Sequence, residues 1–204
     1  MLLTTAYFPP VEYFAAIASE YSSFYLEACE NYQKQSYRNR CYFYGSQGRE
    51  MLQVPVVHEN GSFNLPITKI RISYDTPWVI RTERAISSAY SSSAYFEFYR
   101  DELFAILDSR PETLWELNLR LIRFFLEKCG IPAEIRFTDV FEQGKALDIH
   151  PKRPNAILDD LGLKKPYFQV FAQKHGFISN LSIMDLLFNE GPDSISFLRN
   201  ASRR

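Results

Sequence analysis

The chain has little cysteine chemistry to offer. Its three cysteines, Cys29, Cys41 and Cys129, are odd in number and nowhere spaced CxxC, which argues against a disulfide framework and a thiolate zinc site. His58, His150 and His175 fall into no HxH or HExxH pattern, so no metal is expected. No GxSxG, P-loop or GxGxxG occurs, so no hydrolase elbow, phosphate loop or dinucleotide fingerprint names a reaction, and no cofactor is expected. Charge excess is missing as well. With 23 basic and 24 acidic residues the formal net charge is −1, which removes the electrostatic case for a polyanion and argues against nucleic acid as a partner. No apolar run approaches the roughly 20 residues a membrane-spanning helix needs. The opening "MLLTTAYFPPVEYF" has neither a basic start nor a long apolar centre. These absences predict a cytoplasmic protein with reduced thiols and no direct membrane insertion, and they leave oligomeric state open.

Aromatic side chains are plentiful: 13 Tyr and 17 Phe are spread along 204 residues, as a packed globule with amphipathic rings near its surface requires. That length predicts one domain, 1–204. "LLTTA" (2–6) reads as a strand stopped by Pro9-Pro10. Val11, Phe14, Ala15 and Ala18 then recur at helical spacing, and "SFYLEA" (23–28) reads as a second strand. A strand on either side of a helix predicts a parallel crossover. "RCYFYG" and "REMLQVPVV" flank a Gly-bracketed turn and predict an antiparallel hairpin. "ENGSFNLP" (59–66) is rich in turn residues, and "ITKIRIS" (67–73) alternates like a strand. Helices are expected from Trp78, over "AYFEFYRDELFAILDS" and after Ser109-Arg110-Pro111-Glu112, which has the form of a capping box. The last of these ends at Gly130 and Pro132. "EIRFTDVF" (134–141) reads as a strand, 142–166 as a long surface excursion, and "LSIMDLLFNE" as a helix begun by Asn180 or Ser182. The order predicts an α/β fold, a mixed, partly parallel sheet covered by helices, with α+β as the alternative.

Three stretches carry candidate chemistry. In "AYFPPVEYF" (6–14), containing Tyr7, a strand end meets a helix N-terminus, where ligands of open α/β sheets gather. The competing reading is a connection stiffened by proline. In "ENYQKQSYRNR" (30–40), Lys34, Arg38 and Arg40 suit phosphate or carboxylate, and Asn31, Gln33, Gln35 and Asn39 suit hydroxyls or amides. Tyr32 and Tyr37 suit stacking. The composition fits a substrate loop for a polar, anionic, ring-bearing molecule, against the plainer reading of a solvated loop with paired charges. In "FAQKHGFISNLSIMDLLFNEGP" (171–192), His175 precedes a helix that carries a carboxylate, Asp185, among apolar neighbours. His175 and Asp185 are the candidate proton-transfer pair, and Asn180 a candidate substrate contact. Cys29 ends an apolar strand and is better read as a small core residue than as a nucleophile.

These segments resemble the WbqC-like family, whose members are encoded in bacterial O-antigen and other surface-polysaccharide gene clusters. Tyr7-Phe8-Pro9-Pro10 and Glu12-Tyr13-Phe14 match the later part of its opening motif, while Thr4, Thr5 and Ala6 stand where members carry His-Gln-Pro. Asn31-Tyr32, Lys34, Tyr37 and Asn39-Arg40 match its middle motif. Pro77-Trp78, Ala89-Tyr90 and Tyr95-Phe96 match "PW…AY…YF", and Phe177 to Gly191 match its ending. An extra unit of longer members is missing, which marks a compact branch. The resemblance implies a cytoplasmic protein of surface-polysaccharide biosynthesis. One reading is a transferase that acts on a nucleotide-linked sugar or adds an acyl or aminoacyl group to one. The other is a non-catalytic binding or scaffold protein of the same pathway. The expected partner is a nucleotide-sugar or another anionic small molecule.

Overall fold

A computed structural model describes residues 1–20, 22–57, 65–147, 149–152, 156–160 and 165–199. His58 and most of the 59–66 connection lie outside the described residues, as do Pro154 and Gly162 of the 142–166 excursion. The elements run β1 (Leu2–Leu3), α1 (Val11–Glu20), β2 (Ser23–Leu26), β3 (Arg40–Gly45), β4 (Gly48–Gln53), α2 (Trp78–Tyr90) and α3 (Phe96–Asp108). There follow α4 (Leu114–Lys128), β5 (Glu134–Phe137), α5 (Ala156–Asp160), α6 (Ala172–His175), α7 (Ile183–Glu190) and α8 (Ser194–Arg199).

Strands β1, β2 and β5 form a parallel sheet in the order β1-β2-β5, and β3 pairs β4 in an antiparallel ribbon of its own. Parallel strands interleaved with helices make this an α/β fold that also carries an antiparallel hairpin. Phe24 and Leu26 of β2 turn inward with Leu3, while Tyr25 between them is exposed, the period-2 alternation of a strand with one covered face. The buried apolar residues form one cluster. Helix α4 runs through it, burying Leu114, Leu117, Leu121, Ile122, Phe124, Phe125 and Leu126, and each such side chain contributes about 1.5–3 kcal/mol when withdrawn from water. Among the described residues no helix is long and apolar enough to cross a membrane.

Two local expectations shift. The capping box of α4 lies four residues later than Ser109-Arg110-Pro111-Glu112: Thr113 is the N-cap, and its Oγ1 accepts the Glu116 N–H at 3.2 Å. Ser109 is instead the C-cap of α3, and Arg110 breaks the chain direction with φ 46°. Thr113→Ala should therefore lower stability by about 1 kcal/mol in urea unfolding, and a larger loss for Ser109→Ala than for Thr113→Ala would contradict the assignment.

The segment 67–73 opens with a 3₁₀ turn, Ile67–Lys69, in place of a regular strand. Ile67 and Ile70, one 3₁₀ turn apart, are buried together, and the residues after them serve the lead-in to α4. Ile70 C=O accepts from Leu114 N–H, and Ile72 N–H donates to Glu112 C=O.

Candidate functional site

The carboxyl ends of the three parallel strands open into a cleft of about 370 Å³. Thr4 follows β1, Glu27 follows β2, and Phe141 and Glu142 lie beyond β5. Glu30, Gln33 and Arg38 come from the polar loop, and Leu147, Ile149 and His150 from the later excursion. Ligands of parallel α/β sheets gather at this edge because crossovers leave a crevice beyond the strand ends.

Glu27 is 1% exposed, and protein donors hold it there. Its Oε1 accepts from Thr138 Oγ1 at 2.6 Å and Cys29 N–H at 2.9 Å, and its Oε2 accepts from Glu142 N–H at 3.0 Å. Glu30 and Arg38 form a buried two-pronged ion pair: Arg38 Nε donates to Glu30 Oε1 at 2.8 Å and Nη2 donates to Oε2. Burial pushes the Glu30 carboxyl above the ordinary carboxylate range, Arg38 opposes that shift, and the Glu27 charge adds to it. His150 Nδ1 accepts from Lys152 N–H at 3.2 Å, so a neutral His150 ring carries its proton on Nε2.

The polar loop is thus tied down far more than a solvated loop would be. Besides the ion pair that joins its ends, Asn118 Nδ2 of α4 donates to Arg38 C=O at 2.8 Å, and Tyr7 N–H donates to Tyr37 C=O at 2.8 Å. Asn39 Nδ2 donates to Val54 C=O at 3.1 Å, fixing the loop to the end of the hairpin. Tyr32 and Tyr37 are buried, Tyr37 edge-on to Tyr42 at 6.3 Å, and burial pushes both phenols up. Arg40 is half-buried at the start of β3, opposite Gln53. Asn31 and Lys34 are exposed. Of the substrate contacts read from sequence, Arg38 lines the cleft directly, and Lys34 stands next to its lining residue Gln33.

Tyr7 lies fully within the core, its ring 4.6 Å from that of Phe8. The helix N-terminus beyond it is already occupied by the chain itself. Asn180 Oδ1 accepts Glu12 N–H at 3.0 Å and Leu181 C=O accepts Val11 N–H at 2.9 Å. Asn180 takes φ 55° to do so, a left-handed conformation that asparagine tolerates better than most residues. The "SNLS" motif therefore caps α1, and the amides that an anion would have met there are spent on it.

His175 and Asp185 hydrogen-bond to different partners, with Tyr44 between them: its ring lies 6.3 Å from that of His175, and its N–H donates to the Tyr90 hydroxyl that bonds Asp185. His175 is exposed, and its Nε2 donates to Ser46 C=O at 2.9 Å at the turn of the hairpin. The length of β3, roughly 17 Å at about 3.3 Å per residue, separates that turn from Arg40. Asp185 is wholly buried: Oδ1 accepts from Tyr90 Oη at 3.0 Å, and Oδ2 accepts from Tyr167 Oη at 2.6 Å and Gln169 Nε2 at 2.7 Å. Burial raises its carboxyl to about 6, against the pull of those three donors. Cys29, half-buried, points its Sγ toward Thr138 C=O at 3.5 Å.

Glu27, Glu30 and His150 are among the cleft residues that pattern reading passed over. Glu27 had one signal, its place at the end of the second strand. His150 had only its setting in a long excursion with little apolar period.

A family model described as "WbqC-like protein family" matches residues 5–162, which takes in the cleft residues from Glu27 to His150 and stops short of the "SNLS" cap. The chain is also similar to "Uncharacterized protein Rv1507c" of Mycobacterium tuberculosis (strain ATCC 25618 / H37Rv). The two are 27% identical over 226 residues, spanning 97% of this chain and 96% of that protein. No solved structure matches it.

Proposed function

Because this chain belongs to the WbqC-like protein family, we propose that it serves bacterial surface-polysaccharide assembly, the setting the family resemblance implies, and meets a nucleotide-linked sugar in the sheet-edge cleft. The observation that carries this reading is the cleft itself, at the carboxyl ends of three parallel strands and lined by Glu27, Glu30, Gln33, Arg38 and His150. Its volume falls within the range of small-molecule sites. Carboxylates, an amide and an imidazole are the groups that read sugar hydroxyls and amines. Since Glu30 already answers the Arg38 charge, this reading assigns the phosphates to the exposed Lys34, next in sequence to the lining residue Gln33.

The finer reading is a cytoplasmic transferase that places an acyl or aminoacyl group on that sugar. An attacking hydroxyl or amine must give up a proton, and the cleft groups suited to receive it are Glu30, its affinity for protons raised by burial, and His150. The protein donors already held by both oxygens of Glu27 and of Glu30 favour the second reading, a non-catalytic binding or scaffold protein of the same pathway whose polar loop meets a protein partner in place of a nucleotide-sugar.

Calorimetry and thermal shift across a nucleotide-sugar panel separate the two. The transferase reading expects a panel member that binds, stabilising the fold by about 2.7 kcal/mol at a hundredfold excess over Kd. It also expects His150→Ala and Lys34→Ala each to weaken that ligand about tenfold, the worth of one charge-assisted contact. Failure of the whole panel, together with a protein partner on co-purification, would establish the scaffold reading instead.

A further inference from the structure

Strand β5 is an edge of the parallel sheet, and its outer side has no backbone partner among the described residues. Glu134 N–H donates to Ser22 C=O and Thr138 N–H to Leu26 C=O, so residues 134, 136 and 138 direct their peptide groups toward β2. Ile135 and Phe137, alternating with them, direct theirs outward. An exposed row of this kind is a template for another strand, and proteins commonly blunt it with charges of one sign, proline or a covering element. Here the edge reads Glu134-Ile135-Arg136-Phe137, with charges of opposite sign on one face. Apolar surface surrounds it: Phe137 is 40% exposed, Phe141 56% and Val140 65%. Phe137 rests against Trp115 of α4, 5.7 Å between ring centroids.

We propose that this edge pairs with the same edge of a second copy of the chain, antiparallel about a two-fold axis at Ile135, joining two three-stranded sheets into one of six. The occupant follows from charge and register. Peptide groups that face outward must meet others that face outward, which sets odd positions opposite odd ones. With Ile135 opposite Ile135 of the second copy, Glu134 lies opposite Arg136 and Arg136 opposite Glu134, so each charged pair is attractive. Sliding by one step in either direction sets Arg136 against Arg136 or Glu134 against Glu134, a repulsion across directly facing positions. The intramolecular Glu134–Arg136 contact of 3.1 Å, between half-exposed side chains, is a weak surface pair that is readily exchanged for two intermolecular ones. A two-fold axis is the symmetry that a self-complementary patch produces.

Sedimentation equilibrium at low salt, over micromolar to hundred-micromolar protein, tests this. The wild-type chain is expected to form dimers. Arg136→Glu, which sets Glu134 against a carboxylate twice, should weaken the dimer by about tenfold or more, and Glu134→Arg should do the same. The double exchange, Glu134→Arg with Arg136→Glu, should restore it. All four proteins are checked for an unchanged melting curve, so loss of fold is not mistaken for loss of pairing. A wild-type monomer throughout that range, a dimer indifferent to both single changes, or a folded double variant that stays monomeric would each overturn the proposal.

Discussion

Arg38→Ala is expected to lose about 3–5 kcal/mol of folding stability. Glu30 is 3% exposed, and both its oxygens face the Arg38 guanidinium. Removing the arginine leaves a largely buried carboxylate on the cleft wall without its cation, which costs more than the pair is worth intact. Replacing both residues by methionine removes both desolvation penalties and should recover most of the loss. Lys34→Ala, in the same loop but exposed, should stay within about 0.5 kcal/mol of wild type. Urea unfolding followed by aromatic fluorescence measures all three. If Arg38→Ala and Lys34→Ala came out alike, the loop would be solvated after all and its ion pair incidental. Arg38 is a structural cation whose position also lines the cleft, so lost binding in its variants reports lost loop geometry unless stability is measured alongside.

That distinction marks where sequence stopped being informative. Periodicity exposed the helices, because Leu114, Leu117, Leu121 and Phe125 repeat along one face whatever they pack against. Strand-helix-strand order exposed the parallel pairing of β1 with β2, and the Gly-bracketed turn exposed the hairpin. Local signals failed where a neighbour far along the chain made the decision. Thr113 and Ser109 both look like caps, and only the length of α3 settles which one is. Burial alternates from Lys69 to Ser73, yet Ile67, expected on the polar side, is buried in the 3₁₀ turn, and the backbone after it is shared between residues 55–57 and those leading into α4. In the loop, composition read as a substrate surface, but the Glu30–Arg38 closure and the reach of Asn118 across 80 positions are tertiary events with no local signature. Asp185 stood out as a carboxylate in an apolar helix. Its partners, Tyr90 and Tyr167, lie 95 and 18 positions away, and nothing local pointed to them.

Asp185 supplies the second large effect. Asp185→Ala should cost about 3 kcal/mol or more, since it strands the Tyr90 and Tyr167 hydroxyls and the Gln169 amide away from water at roughly 1–3 kcal/mol each. The pH dependence is the more specific expectation. Burial holds the folded-state carboxyl at about 6, against 3.8 for the free group. Between those values the folded chain binds more proton than the unfolded one, so this group's contribution to stability is full below the lower value and falls as pH rises through the upper one. The span corresponds to about 3 kcal/mol. Other carboxylates titrate in the same range, so the quantity to follow is the difference between wild type and Asp185→Asn, which cannot ionise there. Wild type should lose ground to the asparagine variant steadily from about pH 4 to about pH 6 and hold a constant offset above. Parallel curves would mean that Tyr90, Tyr167 and Gln169 stabilise the anion enough to cancel its burial. Because Gln169 also accepts Ile178 N–H at 2.9 Å, the weakening should appear at that amide as faster hydrogen exchange above pH 6 than the intrinsic rate accounts for, relative to Asp185→Asn.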